Sequence, residues 1–123
     1  MHQPVDLDSA IAQVKKTSHI NIRLLKPGMK IVARTENSLY DMTVIDPQNL
    51  VVRVRIPRYG EEVRDVWMCG ATWGGSMIWE GRIGYDMHME LLVPGKSRLI
   101  TSPVVAARIE GEGWLYEMDW SNR

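Results

Sequence analysis

Asp86, His88 and Glu90 alternate along "DMHMELLV", and on an extended strand side chains at i, i+2 and i+4 project from one face. Two carboxylates around an imidazole could hold a metal ion or pair an acid with a base. The intervening Met87, Met89, Leu91 and Val93 require the opposite, apolar face, so the same pattern also describes a strand whose polar side points to water. No certain further ligand accompanies the three. A metal-dependent enzyme at Asp86, His88 and Glu90 is therefore the third of three readings, and the sequence implies no cofactor.

A second constellation surrounds Tyr59. Arg53, Arg55, Arg58 and Arg64 straddle one loop, and pairing of the flanking strands would gather them into a patch able to grip phosphate or carboxylate. Glu61, Glu62 and Asp65 share the segment, so a salt-bridged, solvated face competes with the binding site. A small-ligand-binding barrel for an anion such as a nucleotide is the second reading.

Nucleophiles are scarce. Cys69 could be activated by His88, yet no family-specific signature surrounds it, and a lone Cys after an apolar strand serves more often as a small buried residue. Ser76, in "GGSMI", does not sit in a G-x-S-x-G elbow. Gly74 and Gly75 could nest an anion, but "GGSMIWEG" brings neither a Lys nor a helix start.

The stretch from Trp67 to Glu90 holds three of the five tryptophans, the single cysteine and five of the ten glycines. Glycines in a strand pattern mark bulges, bends or close backbone approach, so this segment reads as the corner of a β-fold. The chain has no Phe, and Trp and Met are expected to fill the volume Phe would take. Most of these residues are thus expected in the core. Trp73, Trp79, Trp114 and Trp120 are the candidates for an exposed interaction face.

The elements that must position these residues follow from periodicity. Leu7, Ile11 and Val14 share one face of a short helix in the first nineteen residues, a helical, partly flexible segment with Lys15 and Lys16 at its C-terminal end and His2 and His19 solvated. From Ile20 onward the period is two. Pro27-Gly28 turns the chain into a strand over about Met29 to Thr35, and Asp46-Pro47-Gln48-Asn49 has the residues of a type I turn. "LVVRVRI" sends Leu50, Val52, Val54 and Ile56 one way and Val51, Arg53 and Arg55 the other. Pro94-Gly95 makes a further turn, Pro103 marks an edge, bulge or break, and "WLYEMDW" supplies the last strand. Short strands at regular spacing, joined by Pro/Gly turns, predict an all-β fold. The expectation is a small antiparallel barrel or sandwich of about seven to nine strands over residues 20–123, with the short N-terminal helix preceding it. Met29 to Thr43 and Met87 to Thr101 echo one another in spacing, each framing strand–turn–strand.

The rhythm "KPGMKIVART…YDMTVIDPQNLVVRVRIPRYGEEV" resembles the small split barrels of PilZ-type cyclic-di-nucleotide receptors, including their non-binding N-terminal barrels, over about a third of the chain. The resemblance implies a barrel only. The R-x-x-x-R and D/N-x-S-x-x-G ligand signature is absent, so no binding residue is carried across.

Composition bounds the rest. A chain of 123 residues, 45% hydrophobic and 24% charged, is sized for one globular domain with its own core. Fifteen basic residues balance fifteen acidic ones, which gives no general attraction to nucleic acid or an anionic membrane. One cysteine excludes an internal disulfide and a multi-cysteine zinc site. "MHQPVDLDSAIAQVKK" carries acids where a leader peptide has bases, and no run approaches a membrane span, so a cytoplasmic location is expected. The first reading of function is a non-catalytic interaction or regulatory module that self-associates or binds a protein partner through Trp/Met surface.

Overall fold

The computed structural model describes residues 19–73, 77–111 and 113–119, with backbone alone from residue 111 onward. The expected helix over the first eighteen residues and the candidate Trp120 lie outside the described residues. Among the described residues there are ten strands: β1 (His19–Asn21), β2 (Lys30–Thr35), β3 (Leu39–Asp46), β4 (Val51–Arg55), β5 (Val63–Thr72), β6 (Ile78–Glu80), β7 (Arg82–Gly84), β8 (His88–Leu92), β9 (Arg98–Gly111) and β10 (Gly113–Asp119). Short 3-10 turns cover Ile22–Leu24 and Pro57–Tyr59.

Six strands close an antiparallel barrel in the order β2-β3-β4-β5-β8-β9 and back to β2. Closure removes free edges from the core sheet, which settles barrel over sandwich. The count exceeds the sequence expectation because the glycine corner contributes two short strands, β6 and β7, and His19–Asn21 a third, β1. Two long strands each exceed their neighbours. β5 carries β4 along the first half of one edge and β6 along the rest, with β8 on the other edge. β9 pairs β8 up to Pro103, changes partner there, and carries β2 and then β10 beyond it. Pro103, which has no N–H for a ladder, sits at the register shift where pairing changes.

Alternation fills the interior as the pattern requires. Leu50, Val52, Val54 and Ile56 are buried, as are Met87, Met89, Leu91 and Val93, and Ile31, Met42, Val44, Met68 and Ile109 complete the centre. The three tryptophans whose side chains are described lie outside this core. Trp67, Trp73 and Trp79 are 47%, 66% and 42% exposed. The volume expected of them comes from Ile, Val, Leu and Met, and these three indoles are left exposed.

Each of the three hairpins that close the barrel opens on a residue with positive φ: Gly28 (93°), Leu50 (61°) and Asp86 (62°). Two of these starts match bond for bond. Gly28 N–H donates to Val44 O and Val44 N–H to Met29 O; Asp86 N–H donates to Val104 O and Val104 N–H to Met87 O. The echo seen in the sequence is therefore a repeated turn geometry, with the second hairpin two residues longer than the first.

The hairpin loops at 36–38, 56–62 and 93–97 lie at one end of the barrel. The opposite end is covered by β1 pairing with β7 in register Ile20↔Ile83, which places Ile20, Ile22 and Ile83 in the core with no exposure. His19, expected in solvent, is instead buried and packs its ring 4.4 Å from that of Trp79. Among the described residues no helix is long and apolar enough to cross a membrane.

Candidate functional site

Outward-facing residues of β5, β6 and β8 form a shallow groove of about 380 Å³ on the barrel wall. Trp67 lies opposite Leu92 in the β5–β8 ladder, and Ile78 lies opposite Thr72 in the β5–β6 ladder. Trp67, Ile78 and Leu92 are each at least 40% exposed, with Met77 (82%) and Trp73 (66%) beside the same strands. Gly70 sits between Glu80 on β6 and Glu90 on β8, both of which line the groove. A Cβ at this position would run into the Trp79 carbonyl oxygen, and its φ of +153° is one that side-chain-bearing residues avoid. This glycine admits β6 to the edge of β5. It is the close backbone approach that the glycine pattern foreshadowed.

Charge is distributed around that apolar strip. Arg23 donates to Glu80 at 2.9 Å, and Arg98 stands 3.7 Å from Glu90, whose side chain is only 13% exposed. Cys69 lines the same groove, half-buried, with a weak contact to the Trp67 carbonyl at 3.9 Å. Burial, and then the Glu90 carboxylate, push the thiol above its ordinary range, which opposes formation of a nucleophilic thiolate. Trp79 faces away from the groove, under the Arg82 guanidinium at 5.2 Å and against His19.

The three candidate metal ligands do not share a strand. Asp86 adopts φ +62° in the turn before β8, and its N–H is taken by Val104. A register shift separates His88 from Glu90. His88 Nδ1 lies 2.6 Å from the Thr101 carbonyl; because that oxygen can only accept, Nδ1 carries the proton and donates. Among the described residues no group of three His, Cys, Asp or Glu is arranged to hold a metal ion.

The arginines divide between faces. Arg53 lies on the outer wall and grips Asp65 directly opposite it through two bonds of 2.8 and 3.3 Å. Hydrogen bonding to Arg53 holds the Asp65 carboxyl below its usual range, and the same bond raises Arg53. Arg55 stands 3.9 Å from Glu61. Arg64 points the other way, bonds Glu62 at 2.8 Å and lies over Tyr59 at 5.4 Å, with Lys96 also over that ring at 5.0 Å. Arg58 is separate from all of these and lines a different cleft with Tyr40. The site that sequence reasoning missed is the groove wall, where Trp67, Ile78 and Leu92 meet only because β5 is shared by three partners. Trp114 falls in β10, whose pairing is interrupted just after it.

No protein family, curated protein or solved structure matches the chain. The resemblance to PilZ-type barrels therefore stays one of strand rhythm, and the site is argued from its own residues.

Proposed function

We propose that this protein is a non-catalytic interaction module that self-associates through the β5–β6–β8 groove. The observation that carries the reading is the run of large apolar side chains left in solvent: Trp67, Ile78 and Leu92 on one face, with Met77 and Trp73 at its margin. Exposed apolar side chains gathered in one place, rather than scattered singly, mark association surfaces, and tryptophan is the residue most enriched at their energetic centres. Charge supports a second copy as the occupant. A face that meets itself about a two-fold axis must be self-complementary, and this one sets Arg23 and Arg98 beside Glu80 and Glu90.

Size-exclusion chromatography with light scattering, run across a dilution series, tests the proposal. The expected result is a concentration-dependent dimer that Trp67→Ser with Ile78→Ser converts to monomer without loss of the β spectrum. A strict monomer at every concentration removes self-association.

A further inference from the structure

At the end of the barrel that carries the hairpin loops, a cleft of about 350 Å³ opens between the 36–38 loop, the Pro57–Tyr59 turn and the start of β9. Among the described residues Arg58 is the one cation that lines it, and no Asp or Glu does. Arg53, Arg55 and Arg64 each have an acid within 4.0 Å, whereas Arg58 forms no ion pair with any described residue. Its charge is thus the one in this arginine-rich segment still available to a ligand.

The walls supply hydrogen-bonding groups. Tyr40 is buried at 6% exposure, and its phenol is bonded to Ser38. Burial raises the Tyr40 hydroxyl above its ordinary range, and the Ser38 bond and the Arg58 charge pull it down only in part, so it stays a protonated donor. The Ser102 hydroxyl accepts the Asn37 N–H at 3.2 Å and keeps its own proton to give. Leu99 and Ile100 add an apolar side. A pocket of this size, with apolar walls and a few convergent polar groups, fits a small organic molecule.

We propose that this cleft binds a small monoanionic carboxylate, gripped by Arg58 and oriented by the hydroxyls of Tyr40 and Ser102. Guanidinium and carboxylate match as planar two-pronged partners. A single cation with no second base and no helix start leaves a phosphate dianion undercompensated. The hydroxyl-rich wall favours a carboxylate that also bears a hydroxyl, and Leu99 with Ile100 favours a ring or short alkyl body. This binding is independent of the groove and of self-association.

The test is a titration of the full chain with 4-hydroxybenzoate, followed by backbone amide NMR. Saturable shifts confined to the cleft, with Ser38, Tyr40, Arg58 and Ser102 among them, are expected, with Kd on the order of 1 mM, and Arg58→Gln should weaken binding about tenfold. Because Arg58 makes no ion pair with a described residue, the melting temperature of that variant should match the parent, which separates lost binding from lost folding. Two companion titrations decide the chemistry. Equal affinity for 4-hydroxybenzyl alcohol would show that charge is irrelevant, and tighter binding of inorganic phosphate would reject the carboxylate; either overturns the proposal. So would the absence of shifts at roughly 10 mM 4-hydroxybenzoate, or unchanged affinity in Arg58→Gln.

Discussion

At one end of the barrel β1 and β7 lay Ile20, Ile22 and Ile83 across the interior, all without solvent exposure. At the other end Tyr40 and Tyr59 stand among Arg58, Arg64 and Lys96, with Tyr59 flanked by two cations. The difference is one of what each end gains from its own residues. Full burial of one large aliphatic side chain contributes about 1.5–3 kcal/mol. A cation over an aromatic ring in water contributes roughly 0.5–1 kcal/mol. Each isoleucine at the covered end therefore contributes more to stability than a tyrosine–cation contact at the open end. The exposed charges at the open end contribute less to stability.

The largest test of that contrast sets the two ends against each other. Ile83→Ala should lower unfolding free energy in urea by about 2–4 kcal/mol, since the β1–β7 cover cannot collapse onto the space. Lys96→Ala at the open end should change it by less than about 0.5 kcal/mol. Comparable losses from both would break the comparison. Next in size is Gly70→Ala, on the wall between the ends. With the Trp79 carbonyl in the way of a Cβ, and φ at +153°, it should cost roughly 1–3 kcal/mol. The strain falls where β6 joins β5, so a shift in tryptophan emission should accompany it, and self-association should weaken. An unchanged spectrum and stability would mean that β6 does not depend on a bare backbone at this point.

Much of this architecture was legible from alternation. "LVVRVRI" and "DMHMELLV" place their apolar residues in the barrel, and the turns at Pro27-Gly28, Asp46–Asn49 and Pro94-Gly95 all form. Periodicity is silent on other matters, for physical reasons. It assumes extended backbone, and so it put Asp86 on the strand with His88, although Asp86 sits at positive φ before the strand begins. A signal for this existed: the echo that aligns Met87 with Met29 also aligns Asp86 with Gly28, a residue already read as turning the chain. Residue type misled in a second case. The absence of Phe suggested that Trp must fill the core, but volume does not fix facing, and Trp67 is carried outward by the same β5 alternation that sends Val66 and Met68 inward. The groove and the cleft were not legible at all, because each depends on residues far apart in sequence that only barrel closure brings together.

The smallest predicted effect lies on the outer wall and concerns pH. Asp65 is held below the usual carboxylate range chiefly by its hydrogen bonds to Arg53, and Asp46 by the side chain and backbone of Asn49. A carboxyl whose folded pKa is depressed stabilises the fold fully above its unfolded value, near 3.9 for Asp, and loses that contribution as pH falls through the lower folded value. Both groups are solvent-exposed, and exposed pairs are screened by water and salt, so the effect should be modest and should shrink further as ionic strength rises. Comparing melting temperatures of the parent and Asp65→Asn from neutral pH down to the acid limit isolates it. The gap between the two curves should be open at neutral pH and close in acid, once the parent carboxyl is itself protonated. A gap that persists in acid would mean that Asp65 contributes through packing or register with Arg53 on β4 rather than through its charge. The outer wall would then belong with the covered end of the barrel, as structure, and not with the open end.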